Sequence, residues 1–157
     1  MVVNPSPVNP DFTVVYKNFH ALTASELYDM LRLRSEVFVV EQKCVFLDMD
    51  NKDQMCDHVM IYSGHLVATS RLVPPGVIYD EMSVGRIVSH PSVRRTGAGK
   101  LLIRESLRIL QEKYGKAPVR IGAQYYLKKF YESFGFRQCS AIYDEDGIDH
   151  IEMILSL

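Results

Sequence analysis

Apolar and polar side chains alternate with a period of two over residues 82–89, which predicts a β-strand. In a regular strand every second residue faces the same way. The first of the two faces would carry Met82, Val84, Arg86 and Val88. Pro91 has no N–H to donate and restricts the residue before it, so we expect the strand to end near Ser89. Over residues 101–110 the apolar spacing is instead that of a helix with one buried stripe.

The segment that joins this strand to the helix is basic and rich in glycine, with the sequence RRTGAGK over residues 94–100. Gly97 and Gly99 have no side chains, so a ligand can approach the main chain there. The first turn of a helix has N–H groups without partners, and its dipole favours negative charge. The pattern therefore predicts a phosphate site at the helix start. Its surrounding positive charge would come from Arg94, Arg95 and Lys100.

The remaining apolar patterns predict an alternation of strands and helices in one domain over residues 1–157. Residues 1–11 are rich in Pro and Asn and are expected to form an irregular arm. A capping box from Thr23 to Glu26 predicts a helix start, and a β-branched run suggests that this helix loosens near residues 37–40. Further strands are predicted at 12–16, 58–62, 65–72, 119–123, 137–143 and 148–155, and a further helix at 124–134.

Composition and charge limit the classes of function. The formal net charge is -1, so no overall basic field favours nucleic acid as a partner. No apolar run is long enough to span a bilayer and the N-terminus lacks a signal-peptide pattern, so we expect a cytoplasmic protein without a membrane partner. The three cysteines form no C-x-x-C pair, which favours free thiols and argues against a metal site.

The segment from residue 41 to residue 57 is the most acidic part of the chain. Its carboxylates are Glu41, Asp48, Asp50, Asp53 and Asp57. One interpretation is a solvated acidic loop. The other is an acidic lining that attracts a cationic acceptor such as an amine.

The pattern Arg94-x-x-Gly97-x-Gly99 between a strand and a helix resembles the acetyl-CoA pyrophosphate loop of the GNAT superfamily of N-acetyltransferases. The order of elements also resembles the GNAT fold over nearly the whole chain, an α/β fold with a mixed central sheet of about six to seven strands flanked by helices. The resemblance implies that the main chain and side chains of one loop hold the diphosphate of acetyl-CoA. This loop comprises Arg94, Arg95, Thr96, Gly97, Ala98, Gly99 and Lys100.

The same resemblance assigns the rest of the coenzyme site. In the family the pantetheine arm lies between two strands that splay apart, which implies contacts with Ile87, Val88, Ser89 and Gln124. A tyrosine four residues before a Gly-Phe pair serves as proton donor to the leaving thiolate, and here it is Tyr131 before Gly135. Because a phenol is protonated at neutral pH, its chemistry suits that role.

The general base is less well defined. The family often places a carboxylate on the strand before the loop, but Val84 and Arg86 occupy its centre here. Three candidates remain for the group that removes a proton from the acceptor: Glu41, His58 and Glu81. A second set of motifs resembles the ElaA-type GNAT subfamily, with patches at residues 34–42, 85–86, 122–124 and 143–150. This resemblance implies substrate-binding roles for Arg86, Glu41 and His150, although a buried ion pair would also explain them.

The implied reaction is direct transfer of an acetyl group from acetyl-CoA to a primary amine of a small molecule or peptide, without a metal. Two alternatives stay open. An acyl-homoserine-lactone synthase would explain the spacing of Arg34, Phe38, Asp48 and Asp53, but the chain has no tryptophan. A CoA-binding regulatory module would explain the missing strand carboxylate. The sequence leaves open the acceptor, the base, the acyl group and whether the protein forms a homodimer.

Overall fold

The computed structural model describes residues 2–3 and 11–156, whose strands form two antiparallel sheets. Consecutive strands are neighbours in the first sheet. It comprises β1 (Val2–Val3), β2 (Thr13–Asn18), β3 (Asp57–Ser63), β4 (His65–Val73) and β5 (Ser83–Ser89). In the second sheet β9 pairs with each of the other strands. It comprises β6 (Val119–Gln124), β7 (Arg137–Gln138), β8 (Tyr143–Glu145) and β9 (Ile148–Leu155).

Two helices pack against the strands of the first sheet. Helix α1 (Ala24–Arg34) begins at the predicted capping box and continues as a π-helix (Ser35–Glu41), where the sequence suggests loosening. Helix α2 (Ala98–Tyr114) follows β5. The predicted helix at 124–134 is shorter than expected, because β6 extends to Gln124 and a 3-10 turn precedes α3 (Lys128–Glu132). No helix in residues 2–3 and 11–156 has the length and hydropathy needed to cross a membrane.

The expectation of an irregular arm is wrong at two positions. Val2 and Val3 pair with β2 opposite Val15 and Val14, so they add a short edge strand to the first sheet. Met1 and residues 4–10 lie outside the described residues. For them the prediction stays a prediction.

Two apolar cores lie on opposite faces of the first sheet. The larger joins the buried face of α2 to both sheets, and the smaller packs α1 and the π-helix on the other face. Val84 belongs to the larger core, whereas Val88 belongs to the smaller one with Met30 and Leu33. The prediction that Val84 and Val88 share a face is therefore wrong.

A β-bulge in β5 explains this reversal. Gly85 pairs with Arg71 and Val88 pairs with Thr69, so two residues of β5 oppose one residue of β4. Arg86, at the bulge, has a φ of 47°, in the left-handed region. The extra residue turns every later side chain of β5 to the opposite face, which a regular alternation does not anticipate.

The two sheets meet at one end and separate at the other. Among the described residues they are joined by a parallel bridge between Met82 and Val119, where the Arg120 N–H donates to the Met82 carbonyl at 3.0 Å. Beyond this bridge β5 pairs with β4 alone, so its second edge faces β6 across an opening. This opening positions the candidate site.

Candidate active site

The separation of β5 from β6 opens a cavity of about 1560 Å³. Its floor includes the free edge of β5 from Ser83 to Ser89, and its walls come from the loop before α2, from α3 and from the turn between β8 and β9. The segment after the π-helix, residues 42–47, closes one side of the cavity. Of the predicted cofactor-binding residues, the cavity brings together Ile87, Val88, Ser89, Arg94, Arg95, Thr96, Gly97, Gly99, Lys100, Gln124 and Tyr131.

The start of α2 has the form expected of an anion site. Gly97 is its N-cap, with a φ of 93° and no side-chain cap, and a Cβ there would meet no atom within 4 Å. The first helical hydrogen bond runs from the Leu101 N–H to the Gly97 carbonyl at 3.0 Å, which leaves the N–H groups of residues 98–100 without helical partners. The Thr96 N–H, in contrast, donates to the Val93 carbonyl. Ala98 contributes only its main chain, because its side chain is buried in the core.

The basic side chains around this loop differ in whether they are already bound to other groups of the protein. Arg94 forms two hydrogen bonds with the Glu41 carboxylate, at 2.7 and 2.9 Å, and a third with the Ser89 carbonyl. Arg95 and Lys100 are exposed and line the cavity. The prediction that Arg94 adds free positive charge is therefore not supported, whereas Arg95 and Lys100 are placed to meet an anion.

Tyr131 reaches the cavity from α3 and is 5% exposed. Its ring packs edge-on against Phe130 and Phe136. Burial, with a smaller effect of Tyr126, raises the pKa of Tyr131 well above its usual range. The phenol is therefore protonated at neutral pH and available as a donor.

The acidic segment contributes to a cluster of ion pairs. Arg34 is 1% exposed and pairs with Asp48 and Asp53, each at 2.8 Å. Arg71 pairs with Asp50 at 2.8 Å and with Asp53 at 3.2 Å. Arg86 completes the cluster through Asp48 at 2.8 Å and Asp50 at 3.4 Å. Three arginines and three aspartates give this cluster no net charge.

The two predicted interpretations of the acidic segment are therefore wrong for most of its carboxylates. Asp48, Asp50 and Asp53 are neither a solvated loop nor a free acidic lining, because arginines from α1, β4 and β5 neutralise them. Asp57 is also buried and bonds Tyr16 and Lys113. The segment is instead tied to the sheet beside the cavity.

Comparisons with known proteins agree with this geometry. A family model described as acetyltransferase (GNAT) domain matches residues 36–157. The chain belongs to the GNAT acetyltransferase family. The ElaA protein of Escherichia coli is 36% identical over 135 residues, covering 84% of this chain and 88% of that protein. This confirms both the predicted superfamily and the ElaA-type resemblance.

Solved structures confirm the GNAT fold. An acyl-CoA N-acyltransferase from Pseudomonas aeruginosa superposes with a TM-score of 0.87 and 35% identity, covering 92% of this chain and 99% of that one. The structure of Escherichia coli ElaA gives a TM-score of 0.86 and 30% identity over 99% of this chain and 100% of that one. The acyl-homoserine-lactone synthase LasI is 11% identical with a TM-score of 0.73, over 91% of this chain and 88% of that one, a likeness of fold alone. The family supports acyltransferase activity with an acyl-CoA as donor.

The three predicted bases of this member of the GNAT family lie in different places. His58 is 0% exposed, its Nε2 is 3.1 Å from the Asp53 carbonyl, and burial lowers its pKa. Glu81 is held by Arg120 through two hydrogen bonds of 3.0 Å. Neither side chain lines the cavity, so their positions do not support a role as base. Glu41 does line it, but paired with Arg94.

The predicted substrate-binding residues meet at the cavity, with different partners. Arg86 donates to the Asp48 carbonyl at 2.8 Å and its guanidinium lies 5.9 Å from the centre of the Phe46 ring. Its engagement in the ion-pair cluster weakens the predicted contact with an acceptor carboxylate. His150 lies opposite Gln124 in the β6–β9 ladder and is 7% exposed.

Two contacts across the cavity were not anticipated from the sequence. The side-chain amides of Gln42 and Gln124 exchange hydrogen bonds of 3.2 and 3.3 Å, and the Cys44 thiol donates to the Asp146 carbonyl at 3.0 Å. They tie the segment after the π-helix to the second sheet. No local pattern in the sequence indicates contacts between residues this far apart.

Acidification is expected to reduce the free energy of unfolding through the ion-pair cluster. Burial alone would raise the pKa of Asp50 and Asp53, but hydrogen bonds and charge from the arginines lower both below the usual range. A depressed carboxyl pKa stabilises the fold above the unfolded value of about 4, and this stabilisation is lost as the pH falls toward the folded value. Urea unfolding at about pH 7 and pH 3 measures the loss, which Asp50→Asn should make smaller. An equal loss in both proteins would contradict the assignment.

Proposed function

We propose that this protein transfers an acetyl group from acetyl-CoA to a primary amine of a small molecule or peptide, by direct attack of the amine on the thioester. The proposal rests on one observation. The start of α2, whose first amides have no helical partners, lines the same cavity as the free edge of β5 and as Tyr131. The helix start suits the diphosphate of an acyl-CoA, and the strand edge suits its extended pantetheine arm. Tyr131 can donate a proton to its sulfur.

The residues divide into three roles under this proposal. The amides of residues 98–100, with Arg95 and Lys100, bind the diphosphate. The main chain of β5 from Ile87 to Ser89 lies along the pantetheine arm, and Gln124 reaches it once its bond to Gln42 opens. A strand N–H near Val88 donates to the thioester oxygen as negative charge develops there.

A panel of primary amines and short peptides, assayed with acetyl-CoA by detection of free thiol, tests the function. We expect release of CoA above background with at least one acceptor. Binding of acetyl-CoA without release for any acceptor would favour the regulatory alternative. The lactone-synthase alternative gains no support from the site, because Arg34, Asp48 and Asp53 are committed to internal ion pairs.

Replacing Tyr131 with phenylalanine is expected to lower kcat by about 10- to 100-fold, because the leaving thiolate loses its proton donor. The Kd for acetyl-CoA should change little, since the ring and its packing against Phe136 are retained. Steady-state kinetics and calorimetry on the same preparation measure the two quantities. Tyr126→Phe is a suitable control, because this tyrosine also lines the cavity but is 72% exposed. An unchanged kcat for Tyr131→Phe would remove its role as acid.

A further inference from the structure

The ends of the cavity carry opposite charge. Beside the start of α2 lie Arg95 and Lys100, whereas the turn between β8 and β9 presents Glu145 and Asp146. Apolar side chains also reach the cavity lining, with Leu47 77% exposed and Ile78 40% exposed. A coenzyme diphosphate is attracted to the first end. The second end suits a cation with an apolar body, such as a protonated primary amine.

A protonated amine cannot attack a thioester until it loses a proton, so a proton acceptor is needed at the cavity. Two of the carboxylates that line it are committed to arginines: Glu41 to Arg94 and Asp50 to Arg71. Among the described residues, Glu145, Asp146 and His150 are the remaining carboxylate and imidazole groups of the lining, and none of them is paired with an arginine. Glu145 and His150 are in direct contact.

His150 is held in an orientation that suits proton transfer. Its Nδ1 lies 2.8 Å from the Ile148 carbonyl, an acceptor, so this nitrogen carries a hydrogen. Its Nε2 lies 3.1 Å from a carboxylate oxygen of Glu145, so a proton can pass directly between the two groups. The Tyr143 ring stacks on the imidazole, with 5.9 Å between ring centres and 29° between planes.

We propose that the His150–Glu145 pair is the proton acceptor of the function proposed above, and that the acceptor substrate is a primary amine with an apolar body. The ammonium gives a proton to the Glu145 carboxylate, which passes it to His150 Nε2 at 3.1 Å. The amine lone pair forms the C–N bond as the C–S bond breaks. Tyr131 gives its proton to the leaving sulfur, and the second proton lost by nitrogen restores the phenol. One proton then leaves to solvent through Glu145, whose side chain is 57% exposed.

Other titratable groups around His150 are less suited to this role. Besides Glu145, the groups around His150 are Tyr143 of β8, Asp146 in the adjacent turn, Cys44 after the π-helix, Tyr79 before β5 and Glu152 of β9. Burial raises the pKa of Tyr79 to about 12 and raises the pKa of the Cys44 thiol. Glu152 pairs with Arg120 at 3.2 Å.

Two amines of the same shape test the pair. Phenethylamine is protonated at neutral pH, whereas two fluorines on the carbon next to the amine-bearing carbon leave its difluoro analogue largely uncharged. With acetyl-CoA as donor, His150→Gln should lower kcat/KM for phenethylamine by about 100-fold and for the analogue by about tenfold or less. For phenethylamine the acidic limb of the pH–rate profile should move up to the pKa of the amine itself, because only uncharged amine then reacts, and the Kd for acetyl-CoA should not change. An equal loss for both amines, or an acidic limb that stays at its wild-type pH, would overturn the proposal.

Glu145→Gln provides a second test, and we expect this variant to fold because the side chain is 57% exposed. It should move the acidic limb to lower pH, since the imidazolium loses its carboxylate; an unmoved limb would count against the pair. Asp149→Asn is the matched control, an exposed aspartate of β9 that does not line the cavity, and its rates should equal those of the wild type. Wild-type protein that binds acetyl-CoA but acetylates neither amine would refute this proposal. Absence of acetyl-CoA binding would instead refute the proposed function.

Discussion

Replacing Gly97 with glutamate is expected to raise the Kd for acetyl-CoA at least about 100-fold, equivalent to about 2.7 kcal/mol. Gly97 is the N-cap of α2, and the space where its Cβ would stand is open. A glutamate there places a carboxylate at the amides that are proposed to hold the diphosphate. Repulsion between the two anions and obstruction of the loop both oppose binding. Calorimetric titration with acetyl-CoA measures the change.

The control must carry the same backbone strain without touching the site. Gly64, in the turn between β3 and β4, also has a positive φ, 76° against 93° for Gly97, and open space at its Cβ. It does not line the cavity, so Gly64→Glu should bind acetyl-CoA as the wild type does. Folded Gly97→Glu protein with unchanged affinity would show that the loop does not bind the diphosphate.

Replacing Arg34 with methionine is expected to reduce the free energy of unfolding by about 3–5 kcal/mol. The guanidinium is 1% exposed and forms ion pairs with Asp48 and Asp53 at 2.8 Å. Methionine fills much of the volume but leaves the two aspartates with fewer partners and the cluster with a net negative charge. The cost of a buried, uncompensated charge therefore dominates the change. Urea unfolding at neutral pH measures it.

Arg32 provides the matched comparison on the same helix. It pairs with Glu36 at 3.1 Å, but its side chain is 69% exposed, so water screens the interaction. Arg32→Met should therefore cost less than about 1 kcal/mol. If both variants lost the same stability, the buried cluster would not have the structural role assigned to it.

The parts of the fold that the sequence predicts well are those determined by neighbouring residues. The capping box at Thr23, the strand that ends near Ser89 and the glycine-rich start of α2 each depend on a few consecutive side chains. These features are confirmed because local chemistry and tertiary structure favour the same conformation.

The parts that the sequence does not predict depend on distant residues. The bulge at Arg86 breaks an alternation that is regular in the sequence, and it appears only in the register between β4 and β5. The acidic segment looks like a solvated loop until Arg34 and Arg71 are brought beside it. The location of the candidate base was likewise not predicted from the sequence. His150 and Glu145 are brought together by pairing of β8 with β9, whereas His58 has a suitable chemistry and an unsuitable location.

A crystal structure of the protein with bound acetyl-CoA would show directly whether the start of α2 binds the diphosphate. We expect diphosphate oxygens within about 3 Å of the main-chain nitrogens of residues 98–100, with the thioester beside the Tyr131 hydroxyl. A diphosphate bound elsewhere, with those nitrogens facing solvent, would contradict this expectation.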